Sequence, residues 1–291
     1  MGFLLKATIA ICVIIAVLIG YSQIEPTPPS VPLPIKSQYF GRGEPKKDSE
    51  TIHKFKVNVK DDVLADLKSR LANTRFAESL EEGDFQYGFQ TTFLKEVVSY
   101  WKDKYEWRKQ EAIINSFPQF ITKIQGLDIH FIHAKPKGNI KGRPLLICHG
   151  WPGSIWEFYK MIPMLTDPVA HGGKPEDAFE VIAPSIPGYG FSEAAHKKDG
   201  NIMSSQRYYK EFWISDEIYE VDSLPVTVPS GLAHFPKELL MMPRSTATDR
   251  FKNITQFTVM PRGGHFAAFE EPLLLAEDIR SFVRKVESRR D

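Results

Sequence analysis

Phe55, Val57 and Val59 alternate with Lys56, Asn58 and Lys60, a period of two that predicts a half-buried strand. Asp61 and Asp62 then open a stretch in which Val63, Leu64, Leu67 and Leu71 recur at helical spacing, with the acidic pair where a helix dipole favours it. Phe93, Val97, Val98 and Trp101 predict a second helix with one apolar face. Tyr100, Trp101, Tyr105 and Trp107 are expected as packing residues, because each can bury a large area. Ile124 to His133 reads as a hairpin turned at Gly126 and followed by an alternating strand, which would set His130 and His133 on a solvated face.

The second half of the chain has a different texture. Pro144 to Cys148 is a continuous apolar run, predicting a strand buried on both faces, with Cys148 as a small core hydrophobe. It enters the glycine-containing turn His149-Gly150-Trp151-Pro152-Gly153-Ser154 and a helical stretch, Ile155 to Tyr159. A second unit follows, with strand Phe179 to Pro184 and loop Ser185 to Ser192. Two such strand–loop units predict a parallel sheet with a site at the carboxyl ends of its strands. Backbone N–H groups in such a turn can face a developing oxyanion. Val226 to Pro229 and Phe257 to Met260 read as two more strands, and Leu273, Leu274, Ile279 and Phe282 as a closing amphipathic helix.

Upstream of this body, Phe3 to Tyr21 is almost wholly apolar, long enough for a single membrane span. A cleaved signal peptide is the rival reading, although no compact small-x-small site follows the run. Lys6 precedes the span and Arg42, Lys46 and Lys47 follow it, which places the body on the cytosolic side by the positive-inside rule. Five prolines between Pro26 and Pro34 make a stiff spacer. The expected organisation is an anchor over 1–22, a proline-rich linker over 23–50, and a body divided at 51–140 and 141–291. The net charge of +1 argues against a nucleic-acid partner, and the two cysteines, Cys12 and Cys148, imply no disulfide framework. The sequence has no helical H-E-x-x-H or C-x-x-C spacing to suggest a metal, and no cofactor is expected.

The order H-G-W-P-G then P-G-Y-G-F-S, preceded by F-P-Q-F and G-L-D-I-H-F-I-H, resembles the microsomal branch of the epoxide hydrolases, including the insect juvenile-hormone enzymes. The resemblance runs from Thr51 to Asp291 and implies an α/β-hydrolase fold, with 51–140 as its N-terminal meander. It also implies a cofactor-free attack by an aspartate on a lipophilic epoxide, then ester cleavage by water that a histidine activates. Carried over by motif, G-G-H-F places the base at His265, F-P-K-E-L-L its orienting carboxylate at Glu238, and R-Y-Y-K-E a proton-donating tyrosine at Tyr209, with Tyr208 its neighbour. Trp151 would supply an oxyanion N–H, and His149 would orient its loop. The branch is microsomal, so the resemblance and the span together imply the endoplasmic reticulum membrane.

One element of the family pattern has no counterpart. The nucleophile elbow, a G-G-D-W-G-like turn, should lie between P-G-Y-G-F-S and R-Y-Y-K-E, where Asp199-Gly200-Asn201 passes directly between the flanking motifs. Asp199, in a lysine-flanked polar loop, is not expected to replace it, and no G-x-S-x-G elbow offers a serine. The expected fold is therefore incomplete, without its nucleophile strand and lid, by roughly 100–150 residues. Two functional readings stay open: a membrane-bound hydrolase of lipophilic epoxides, and an inactive remnant that binds apolar ligands.

Overall fold

A computed structural model describes residues 39–81, 83–138, 140–197, 225–240 and 242–289. The predicted span and most of the proline-rich linker, together with Asp199, Tyr208 and Tyr209, lie outside the described residues. Among the described residues, no helix is long and apolar enough to cross a membrane.

In the N-terminal half, β1 (His53–Phe55) leads through α1 (Asp61–Ala72), α2 (Thr91–Asp103) and α3 (Trp107–Ile114) to β2 (Gln119–Ile124) and β3 (Leu127–Ala134). The hairpin forms as the sequence predicts: Ile124 pairs with Leu127 across a two-residue turn, Gln125–Gly126, with both φ values positive. The strand expected at Phe55 to Val59 does not form there: β1 is His53–Phe55 and shares only Phe55 with it. From Val57 on, the backbone bonds to side chains of α3 and its C-terminal cap instead of a neighbouring strand: Asn115 at the cap accepts from the Val57 N–H, and Glu111 from the Val59 N–H. A period of two cannot reveal that switch.

β4 (Arg143–Leu146) and β5 (Phe179–Pro184) pair in parallel, linked by α4 (Met161–Thr166) and short 3-10 turns. All five strands form one sheet in the order β1-β2-β3-β5-β4, with β3 antiparallel to β5. A second, two-stranded sheet pairs β6 (Ser230–His234) in parallel with β7 (Ile254–Val259), flanked by α5 (Arg244–Arg250), α6 (Ala267–Glu270) and α7 (Pro272–Glu287). The strand expected at Val226 to Pro229 begins four residues later: Pro229 has no N–H for a ladder, and Val226 makes only an isolated bridge to Phe251.

The core lies where Ile132, Val181, Ala183 and Phe179 of the main sheet meet Phe158, Met161, Ile162, Leu165 and Ala276. The β3 alternation misleads on one residue. His130 is fully buried, not solvated, because strands flank β3 on both sides and Phe55 and Phe191 pack on the ring. Gln119 and Ser185 occupy its two nitrogens at 2.9 Å each, and burial pushes its pKa down to about 4, so the ring is neutral. His133 is half-buried, 2.6 Å from Glu180.

The β4 expectation also fails on one face. Ile147 is buried, but Leu146 is 64% exposed and Cys148 is exposed too, so the run is covered on one side only. Tyr100 and Trp101 are likewise exposed, since α1 and α2 have no buried residue and touch chiefly each other.

Candidate active site

Parallel pairing of β6 with β7 continues past both strands into the bridge of Lys237 with Gly264, where the Lys237 N–H donates to the Gly263 carbonyl at 2.9 Å. One residue further, Glu238 and His265 meet. The His265 ring presents Nδ1 to Glu238 Oε1 at 2.7 Å, with both side chains about one-third exposed. Gly263 makes this turn feasible, because at φ +97° a Cβ would stand 2.8 Å from the Phe235 ring. The glycines before His265 thus let two strand ends approach closely enough for a histidine and a carboxylate to face each other.

His265 Nε2 lies 3.3 Å from the carbonyl of Trp151, in the turn after β4. A carbonyl only accepts, so this contact belongs to the imidazolium, whose two nitrogens donate to Glu238 and Trp151. The Glu238 carboxylate holds the His265 pKa above its usual value, and the Trp151 carbonyl adds to this against partial burial. Burial alone would raise Glu238, but hydrogen bonds from His265 and the Leu239 N–H outweigh it and leave the carboxyl below its usual range.

The loop after β4 is held from two sides. His149 Nδ1–H donates to the Gly150 carbonyl at 3.0 Å, and Nε2 accepts the Ile186 N–H at 3.1 Å, tying this loop to the one after β5. Burial lowers the His149 pKa, so the neutral tautomer that can do both is favoured. Ser154 and Glu157 form a capping box over the following 3-10 turn, with Glu157 Oε1 accepting the Ser154 N–H at 3.1 Å. Gly153 leaves room for that carboxylate, since a Cβ there would stand 1.9 Å from it. Burial raises the Glu157 pKa, and His265 is near enough to pull it back partway. The sequence reading passed over Glu157, although its signal, S-x-x-E before an apolar turn, is plain.

The structure therefore brings together His265, Glu238 and the loop bearing Trp151, while Tyr209 lies outside the described residues. A histidine so oriented, once neutral at Nε2, can take a proton from water.

Residues 52–158 match the family model described as the epoxide hydrolase N terminus, and residues 143–223 match that of the alpha/beta hydrolase fold. Epoxide hydrolase 1 of Oryctolagus cuniculus is 50% identical over 184 residues, which cover 61% of this chain and 40% of that protein. Juvenile hormone epoxide hydrolase 2 of Ctenocephalides felis is 29% identical over 442 residues, covering 93% of this chain and 94% of the relative. The chain thus spans about two fifths of the length of the first curated relatives it matches. The crystal structure of juvenile hormone epoxide hydrolase from the silkworm Bombyx mori superposes with a TM-score of 0.74 at 20% identity, covering 88% of this chain and 99% of that one.

Proposed function

Because the chain belongs to the epoxide hydrolase family, we propose that it carries the water-activating arm of an epoxide-hydrolase site but lacks the carboxylate that opens the epoxide. The substrates of the intact reaction are lipophilic epoxides, xenobiotic or juvenile-hormone-like, and the products are trans-diols. In that reaction a carboxylate attacks an epoxide carbon and forms an ester. Neutral His265 then takes a proton from water at Nε2, the hydroxide attacks the ester carbonyl, and the diol leaves. Glu238 keeps the proton of His265 on Nδ1 and stabilises the imidazolium as it forms. Tyr209 would donate to the epoxide oxygen, and the Trp151 N–H would face the ester oxyanion.

The observation that carries this reading is the 2.7 Å contact of His265 Nδ1 with Glu238 at the ends of two parallel strands, the one-sided donor geometry a general base requires. The missing nucleophile favours the second reading, an apolar-ligand-binding remnant, for the chain acting alone. Two observations support an internal stretch without counterpart here: the flea alignment has more positions than this chain has residues, and β4 and β6 each have one unpaired side among the described residues.

Phe3 to Tyr21 would anchor the chain once in the endoplasmic reticulum membrane with the body cytosolic, close to where lipophilic epoxides partition. Diol formation from a simple apolar epoxide by the purified chain is the test. The expected rate equals that of the His265→Ala chain, and a rate that the substitution abolishes would overturn the proposal.

A further inference from the structure

The turn after β4 is capped by a charge where a neutral group would serve. Ser154 Oγ accepts the Trp156 N–H at 3.2 Å, and Glu157 Oε1 accepts the Ser154 N–H at 3.1 Å. A glutamine at 157 would make the second bond too, because a capping box needs an acceptor there and not a charge. The side chain is nevertheless a carboxylate, and it is half-buried. It occupies the space left by Gly153, where a Cβ would stand 1.9 Å from Glu157 Oε1. Ile155 and Phe158 anchor the same 3-10 turn in the core. Burying a charge costs free energy unless a partner compensates for the lost water.

The compensating cation lies across the turn. His265 Nε2 stands 3.3 Å from the carbonyl of Trp151, three residues before Ser154. α6, which begins two residues after His265, packs on the 3-10 turn that carries Glu157. Ala268 shares the core with Ile155 and Phe158, and the Phe269 and Tyr159 rings are 6.0 Å apart. Glu157 and His265 therefore sit on two segments of backbone that are packed together, and their charges act on each other. Burial raises the Glu157 pKa, while the Ser154 N–H and His265 pull it down. Glu157 in turn adds to the larger effects of Glu238 and the Trp151 carbonyl in raising His265. The other charged groups around the ring are engaged elsewhere. Glu270 accepts the Phe266 N–H at 3.0 Å, Arg262 pairs with Glu271 at 2.7 Å, and Lys160 Nζ lies 4.7 Å from the Phe269 ring centroid. Lys237 meets this turn through its backbone and Cβ, and burial keeps His149 neutral.

We infer that Glu157 is a positioning residue of the water-activating arm: its carboxylate holds the Trp151 turn against His265 and presents a second negative charge to the imidazolium. The inference rests on the proposed function and gives that arm two carboxylates instead of one. Glu238 acts by direct contact at Nδ1. Glu157 acts through the turn that touches Nε2, the nitrogen at which the proton taken from water arrives. Once protonated, Nε2 donates to the Trp151 carbonyl, and the N–H of the same residue is the one that would face the ester oxyanion. A shift of this turn would therefore disturb the base and the oxyanion donor together, although Glu157 touches neither water nor substrate.

The test is NMR titration of the full chain in detergent, because glutamine separates the charge of Glu157 from its hydrogen bond. The Glu157→Gln chain should keep the Ser154 amide as protected from exchange as before, yet titrate His265 about 0.5 pH unit lower. In the Glu157→Ala chain the Ser154 amide should exchange at least about 10-fold faster. A His265 midpoint that the Gln substitution leaves in place would reduce Glu157 to an ordinary cap, and unchanged Ser154 exchange in the Ala chain would remove its hold on the turn. The reciprocal measurement leaves Glu157 itself untouched, so it decides the matter even where a variant at 157 fails to fold. In the His265→Ala chain the Glu157 carboxyl, followed through the Ser154 amide shift, should titrate higher by about as much as His265 falls in the Gln chain. A Glu157 midpoint that stays where it was would overturn the inference. No epoxide enters these measurements, so a lost coupling removes the role of Glu157 alone, whereas His265-dependent epoxide turnover by the unmodified chain overturns the functional reading and leaves the coupling standing.

Discussion

β5 and β4 are neighbours in one sheet, both apolar and paired residue for residue, yet they live in different surroundings. Phe179, Val181 and Ala183 of β5 are almost fully buried, between strands on both sides and under α4. On β4, Leu146 pairs with Ile182 and is 64% exposed. The same contrast separates two histidines. His130 in β3 is enclosed, neutral and held at both nitrogens, whereas His265 is open to solvent and drawn toward its charged form by Glu238. Burial closes the region around β3 and β5. The outer edge of β4 and the contact of His265 with Glu238 lie instead at exposed surface among the described residues.

Substitutions should divide along the same line. Phe179→Ala removes a fully buried ring and should lower unfolding free energy by about 3–5 kcal/mol in urea titrations. His130 should give the chain a pH-dependent stability. Its ring titrates near 6.5 when unfolded and about 4 when folded, so stability is complete above pH 6.5 and is lost as pH falls toward 4, by about 3 kcal/mol across that window. Urea midpoints between pH 7 and 4 measure this, and a flat profile would remove the buried neutral ring from the account.

Asp177 is buried against Arg284 of α7, whose guanidinium holds its carboxyl well below the usual carboxylate range. Asp177→Asn should cost about 2 kcal/mol, and hydrogen exchange should rise first in β6 and β7, which α7 holds to the rest. Gly263→Ala places a side chain at φ +97° against Phe235 and should cost about 1–2 kcal/mol. It should also displace His265 from Glu238 and lower the imidazole pKa, as a histidine-resolved NMR titration would register. Leu146→Ala, by contrast, should change stability by no more than about 0.5 kcal/mol, although an apolar strand residue would ordinarily be core.

The sequence was legible where local rules decide the outcome. Hairpin chemistry at Gln125–Gly126, the strand–loop units after Cys148 and Pro184, and the Gly263-Gly264-His265 turn all follow from residues within a few positions of each other. Legibility failed where the answer lay in remote partners. Whether His130 is buried depends on Gln119 and Ser185, and whether Leu146 is buried depends on what lies beside the outer edge of β4, which no pattern within β4 can reveal. The apparent strand through Val57 and Val59 was lost for the same reason, to side chains of α3 and its C-terminal cap. Glu157 is the exception, a residue outside the family motifs whose S-x-x-E signal is nonetheless local.

The central claim, a water-activating arm without its nucleophile, is tested most directly by intact-mass spectrometry of the His265→Ala chain after incubation with a simple apolar epoxide. Without the base, any ester formed by attack of a carboxylate would persist. The account predicts that no Asp or Glu gains the mass of the epoxide, whereas an adduct mapped to one of them would show that this chain carries its own nucleophile.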